Sequence, residues 1–189
     1  MKELVLILGG ARSGKSTFGE QLAGSTERVL FVATARAGDA EMSRKIALHK
    51  EQHPSSWRTV EEPIDLPGAI AAAREPFDVV LLDCMTLWVS NLLLRKPIPK
   101  NPQQDTLDRT HELLDVYELG TARWIIVSNE VGLGIVPPTA LGRLYRDVLG
   151  RVNQAIALRA DKAYWLVAGL ATELKALGAK PISTDRSLT

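Results

Sequence analysis

Five continuous apolar runs recur along the chain: Leu4–Leu8, Val29–Ala33, Phe77–Leu82 (broken only by Asp78), Trp124–Val127 and Ala163–Val167. Runs of this length with almost no polar alternation predict strands buried on both faces. The segments between them change period. Thr17 to Leu22 is compatible with a helix, as is the charge-dense stretch from Asp39 to Glu51, where Met42, Ile46 and His49 recur at spacings of four and three. Leu66 to Ala73 predicts an alanine-rich helix with Pro67 in its first turn, where proline is tolerated. Further helices are predicted over Trp88–Leu94, Thr106–Leu119 and Ala140–Ala160, with Gly150 putting the continuity of the last in question. His53-Pro54-Ser55-Ser56 breaks the charged segment, and Trp57 to Val60 is a short extended piece closed by Glu61-Glu62-Pro63. Three prolines make Arg95 to Gln103 the most loop-like stretch, and the polar end from Thr184 is expected to be loose. Strands alternating with helices imply an α/β fold with a parallel sheet covered on both sides, and no repeat divides it, so one domain over 1–189 is expected.

The loop after the first strand carries the sharpest signal. Gly9-Gly10-Ala11-Arg12-Ser13-Gly14-Lys15-Ser16 matches G-x-x-x-x-G-K-[ST] between a predicted strand and a predicted helix. Backbone N–H groups of such a loop and the helix N-terminus form an anion cradle. Lys15 then reaches the outer phosphates and the Ser16 hydroxyl holds Mg²⁺. A glycine-rich turn that fits by accident is the alternative, and the strand before and helix after weigh against it. A nucleoside triphosphate is the expected ligand.

Bulk composition narrows the class only modestly. The chain is 46% hydrophobic and 24% charged with a net charge of +1, which gives no electrostatic case for nucleic acid or for a membrane surface. No apolar run approaches a membrane span, and the first strand begins within three residues, so neither a span nor a signal peptide is expected. The single cysteine, Cys84, excludes an internal disulfide within the chain and a multi-cysteine metal site. A cytoplasmic protein fits these features.

Other residues remain open on sequence alone. Asp83 ends the third apolar run, where it would either associate with Mg²⁺ or cap the following turn. His49, among Arg44, Lys45 and Lys50, is either a solvated helix residue or a nucleophile towards phosphorus. His53 precedes a proline and suits a turn, and His111 has no suggestive neighbours. Asn129 to Pro138 follows the fourth strand directly, where open α/β sheets bind ligands. Arg143, Arg146 and Arg151 form either a cationic face towards phosphates or a solvated helix surface. Neither N-K-x-D nor D-x-x-G follows the strands that would carry them, which argues against a regulatory GTPase switch but not against GTP as a substrate.

The ordered set is more telling than any one motif. The loop Gly9–Ser16 is followed by Val32-Ala33-Thr34-Ala35, Ile46-Ala47-Leu48-His49-Lys50 and Trp57-Arg58-Thr59-Val60-Glu61-Glu62-Pro63. Then come Leu82-Asp83-Cys84-Met85-Thr86-Leu87-Trp88 with Asn91-Leu92-Leu93, the stretch Ser128–Pro137, and Gly150-Arg151-Val152-Asn153-Gln154. Over residues 4 to 170 the chain resembles the bifunctional adenosylcobinamide kinase/adenosylcobinamide-phosphate guanylyltransferases of cobalamin biosynthesis. That resemblance implies a RecA-like P-loop NTPase architecture and a homotrimer. It implies phosphorylation of adenosylcobinamide by ATP or GTP, then transfer of GMP from GTP to adenosylcobinamide phosphate through a GMP–histidine intermediate at the position of His49. It also implies nucleotide contacts at Gly9 to Ser16, at Thr34, Ala35 and Arg36, at Lys50, Glu51, Gln52 and His53, and at Glu61 and Asp83. Trp88, Leu92 and the Asn129–Pro138 loop are a candidate surface for the large, partly apolar corrinoid. The competing readings are a P-loop kinase with a single activity and a nucleotide-dependent module without transfer chemistry.

Overall fold

A computed structural model describes residues 1–24, 28–35, 54, 56–73 and 76–182. Among these, β1 (Leu4–Gly9), α1 (Lys15–Ala23), β2 (Val29–Ala33) and β3 (Arg58–Glu61) come first. They are followed by α2 (Leu66–Ala72), β4 (Val79–Asp83), α3 (Met85–Leu94) and α4 (Pro102–Leu119). The chain then forms β5 (Arg123–Val127), α5 (Ala140–Arg159), β6 (Lys162–Val167) and β7 (Leu170–Glu173). The helix expected over Asp39–Glu51 lies outside the described residues.

The strands form one sheet in the order β3-β2-β4-β5-β1-β6-β7, parallel throughout except for β7, which runs antiparallel to β6. Alternate side chains of each central strand enter different layers, as the two-residue period of a strand requires. Leu4, Leu6, Leu30, Val32, Val80, Leu82, Trp124 and Ile126 join the core against α2, α3, α4 and α5. Val5, Ile7, Val29, Phe31, Val79, Leu81, Ile125 and Val127 face the layer that includes Phe18, Leu22 and Ala23 of α1. Both faces are covered, which is why these strands read as continuous apolar runs. No helix among the described residues is long and apolar enough to cross a membrane.

The structure departs from the expected boundaries where capping and packing override local composition. Helix α4 starts at Pro102, four residues earlier than the pattern suggests, because the Asn101 side chain accepts from the Gln104 N–H and Pro102 occupies the first turn. Such a cap contributes about 1 kcal/mol, and proline at that position forfeits no helical hydrogen bond. Arg95 bridges to Asp105 at 2.5 Å and ties the proline-rich stretch to this helix. Helix α3 starts at Met85, three residues early, which buries Met85 beneath the end of β4. Helix α5 runs unbroken through Gly150, since Val148, Leu149, Val152 and Ile156 bury its inner stripe. That burial outweighs the roughly 1 kcal/mol glycine penalty. Strand β7 has no counterpart in the apolar pattern, because Leu170, Ala171 and Thr172 are exposed at the sheet edge.

The parallel strands all point their carboxyl ends the same way. Register aligns Glu61 with Ala33, Ala33 with Asp83, Asp83 with Val127 and, across β5, Val127 with Ile7. Glu61, Thr34, Asp83, Asn129 and the loop after Gly9 therefore share one rim of the sheet.

Candidate active site

The rim is built around the turn between β1 and α1. Arg12 adopts φ +57°, and Gly14, which caps α1, lies at φ +94°. Glycine is favoured at such a backbone angle because it has no Cβ to clash. Gly9 is constrained differently: a Cβ there would sit 2.4 Å from the Leu166 carbonyl oxygen and 2.7 Å from Ser13 Oγ. Gly14 is thus set by its backbone angle and Gly9 by its close approach to β6.

Lys15 opens α1 and is 7% exposed. Its ammonium donates to the Gly10 carbonyl at 2.6 Å and lies 3.5 Å from Ser13 Oγ, so it folds back over the loop. Burial lowers its pKa from the ordinary lysine value, and the neighbouring Cys84 and Asp83 partly offset this. Ser13 is buried, Gly10, Ala11 and Arg12 are exposed, and Ser16 sits in the first turn of α1. Ser16 and Asp83 offer a hydroxyl and a carboxylate oxygen, hard donors of the kind Mg²⁺ prefers. Among the described residues no group of three His, Cys, Asp or Glu side chains forms a dedicated metal cage.

Thr34 holds Asp83 in place. It is fully buried, its hydroxyl donates to the Cys84 carbonyl at 2.7 Å, and the same oxygen accepts from the Cys84 N–H at 3.0 Å. Its backbone N–H donates to the Asp83 carbonyl at 3.3 Å, and its own carbonyl accepts from Asn91 Nδ2 at 2.8 Å. The Thr34 side chain therefore fixes the ends of β2 and β4 against each other and locks the start of α3. Ala35 follows at the chain's exit from β2, and Glu61 stands at the end of β3. His49, Arg36, Lys50, Glu51, Gln52 and His53 lie outside the described residues.

The loop after β5 is tied to the same rim. The Glu130 N–H donates to the Gly9 carbonyl at 3.1 Å, and the Asn129 N–H donates to Thr86 Oγ1 at 2.9 Å. Buried Asn153 on α5 accepts from the Ser128 hydroxyl at 2.6 Å and donates to the Asn129 carbonyl at 3.0 Å. Arg143 donates to the carbonyls of Pro137 and Pro138, so it anchors the far end of the loop. Between these anchors Leu133, Ile135 and Val136 are exposed at 81%, 96% and 60%. Trp88 and Leu92 do not join them. They are 0% and 1% exposed in the core, and the Trp88 indole donates to the Ile64 carbonyl. Both are thereby removed as a ligand surface, and only the loop remains of the expected corrinoid face.

Residues without a role in the sequence pattern complete the site: Cys84, Thr86, Asn91 and Asn153. Burial and the adjacent Asp83 carboxylate push the Cys84 thiol up to about 11. Since the thiolate is the reactive form, at pH 8 only about one part in a thousand of it would be reactive. Alkylation by iodoacetamide should therefore be slow at pH 8 and quicken about tenfold per pH unit towards 11. As Cys84 is the sole cysteine, intact mass reads this directly. Complete labelling within minutes at pH 8 would contradict the placement.

The family model described as cobinamide kinase / cobinamide phosphate guanyltransferase matches residues 5–174. The chain belongs to this family. The bifunctional adenosylcobalamin biosynthesis protein CobP of Pseudomonas aeruginosa is 46% identical over 172 residues, covering 90% of this chain and 96% of that protein. The bifunctional adenosylcobalamin biosynthesis protein CobU of Escherichia coli is 38% identical over 180 residues, covering 91% and 99%. Among solved structures, a prototypical ATPase from the type III secretion system of pathogenic bacteria aligns with a TM-score of 0.56 at 12% identity. It covers 94% of this chain and 58% of the ATPase chain, a likeness of fold alone. The fold of this cobinamide kinase / cobinamide phosphate guanyltransferase family member is thus of the P-loop NTPase kind, RecA-like, with a mostly parallel sheet.

Proposed function

We propose that one domain spanning 1–189 carries two successive transfers on a corrinoid. In the first, the aminopropanol hydroxyl oxygen of adenosylcobinamide attacks the γ-phosphorus of ATP or GTP, and the bond from that phosphorus to the β-phosphate oxygen breaks to release the nucleoside diphosphate. In the second, an imidazole nitrogen of His49 attacks the α-phosphorus of GTP and pyrophosphate leaves. A phosphate oxygen of adenosylcobinamide phosphate then displaces the histidine from phosphorus, giving adenosyl-GDP-cobinamide. A covalent intermediate divides a difficult displacement into two in-line steps.

The observation that carries this reading is the clustering of the buried Lys15 ammonium, the loop Gly9–Ser16 and Asp83 on one rim, in a chain of this family. The loop and the N-terminus of α1 bind and orient the triphosphate. Lys15 stabilises negative charge on the transferred group. A Mg²⁺ ion held by Ser16 and Asp83 would supply further charge neutralisation on the phosphates. Thr34, Ala35, Arg36, Lys50, Glu51, Gln52, His53 and Glu61 complete the proposed nucleotide site, with the Thr34 hydroxyl acting through its hold on Cys84. The cytoplasm is its proposed location and a homotrimer its proposed assembly, which size-exclusion chromatography with light scattering tests.

Incubation of the enzyme with GTP, Mg²⁺ and adenosylcobinamide should yield adenosylcobinamide phosphate first and adenosyl-GDP-cobinamide second. Formation of neither product would leave a nucleotide-binding module, and arrest at the first would leave a kinase alone. The corrinoid contacts proposed here are the exposed side chains of the loop after β5. Leu133→Ala combined with Ile135→Ala is expected to raise the corrinoid KM about tenfold, the loss from uncovering two aliphatic side chains, with the GTP KM unchanged. Equal changes in both constants would place the corrinoid elsewhere.

A further inference from the structure

The turn between β6 and β7 reaches the phosphate loop from the side opposite Asp83, since β1 stands between β5 and β6 in the sheet. Val167 pairs with Leu170, leaving Ala168 and Gly169 as a two-residue turn. Their φ values of +51° and +79° are those that a tight hairpin of this length demands. Ala168 adopts this angle despite its Cβ, so the turn is held in shape by its surroundings.

The hairpin and β6 lie along the cradle. The Gly169 N–H donates to the Ser13 carbonyl at 3.2 Å. The Gly169 Cα lies 3.7 Å from where a Cβ on Gly14 would stand. Further down β6, Tyr164 packs edge-on against Phe18 of α1 with ring centroids 5.0 Å apart. Gly9, paired in register with Leu166, closes the loop's other end against the same strand. A peptide unit is planar and trans, so its carbonyl and the following N–H point in opposite directions. Holding the Ser13 carbonyl towards the hairpin therefore aims the Gly14 N–H away from it.

We propose that the Ala168–Gly169 turn is a positioning element of the nucleotide site. It fixes the Ser13–Gly14 peptide so that the loop's N–H groups are set for phosphate before nucleotide arrives. The inference rests on the loop being the triphosphate site, and it adds a residue far along the chain that tunes nucleotide affinity without touching the reacting atoms. Binding of GTP is weakened when the turn is displaced, because part of the binding free energy then goes into re-forming the loop.

The test uses the full chain with three substitutions at one position. Gly169→Val places a β-branched side chain at positive φ, Gly169→Ala a smaller one, and Gly169→Asn a residue that tolerates this angle and keeps the N–H. A fluorescent GTP analogue reports Kd, steady-state assays report the separate KM values, and circular dichroism reports folding. Gly169→Val is expected to raise the nucleotide Kd and KM about tenfold and Gly169→Ala about threefold, as strain at positive φ predicts. The corrinoid KM stays at the wild-type value, and Gly169→Asn returns nucleotide binding to within about twofold of wild type. Wild-type affinity in folded Gly169→Val, or in Gly169→Ala if the valine variant does not fold, would overturn the proposal. A corrinoid KM that rises in step with the nucleotide KM would do the same. Wild-type protein that bound no GTP would instead remove the reading on which the proposal stands.

Discussion

Lys15→Met is expected to lower kcat for phosphoryl transfer by about 10²–10³, the usual cost of removing one preorganised donor from a developing negative charge. Methionine is unbranched, one heavy atom shorter than lysine and close to it in volume, so the change removes the charge with little change in packing. The effect is large because Lys15 is 7% exposed and bonded to Gly10, so no solvent cation substitutes readily for it. Its ammonium is already depressed in pKa by burial. Stability should move the other way. A lysine whose folded pKa lies below its unfolded value opposes folding at pH values below the folded pKa, and that opposition fades as pH rises through the unfolded value. Lys15→Met should therefore be at least as stable as wild type at pH 7, with a slow enzyme. Thermal denaturation beside kcat separates the two, and a variant that lost activity only by unfolding would contradict the assignment.

The second large effect is expected at His49. Under the proposed mechanism His49→Ala removes the nucleophile at the α-phosphorus and should reduce guanylyl transfer by about 10⁴ or more, as loss of a covalent nucleophile does elsewhere. Phosphorylation of adenosylcobinamide, which uses Lys15 and the loop at the γ-phosphorus, should persist within about tenfold. Following adenosylcobinamide phosphate and pyrophosphate separately resolves the two activities. A parallel fall of both would assign His49 to the shape of the triphosphate site, and survival of guanylyl transfer would exclude it as the nucleophile.

The sequence marks some of these elements and hides others. The buried strands declared themselves because β1, β2, β4 and β5 are covered on both faces and carry apolar side chains to each. The loop Gly9–Ser16 was legible because its backbone angles and close approaches dictate glycine at fixed positions. Strand β7 left no trace, since an exposed edge strand needs no apolar pattern and Ala168-Gly169 lacks the asparagine that usually marks such a turn. The roles of Thr34 and Asn91 were hidden for another reason. Thr34 meets Cys84 across 50 residues and Asn91 meets Thr34 across 57, and no local periodicity encodes such pairs. Trp88 and Leu92 misled because an apolar stripe on a helix looks alike whether it faces ligand or core, and here α3 turns it into the core. Gly169 belongs with Thr34: its hydrogen bond to Ser13 spans most of the chain.

Labelled GTP distinguishes whether one loop serves both bonds of the triphosphate. Wild-type protein with Mg²⁺ and α-labelled GTP should acquire label that is lost in acid and retained in alkali, whereas γ-labelled GTP should transfer its label to adenosylcobinamide and leave none on the chain. His49→Ala should acquire none from either and still phosphorylate the corrinoid. Active wild-type protein that took no label from α-labelled GTP, or label undiminished in His49→Ala, would show that His49 forms no GMP intermediate.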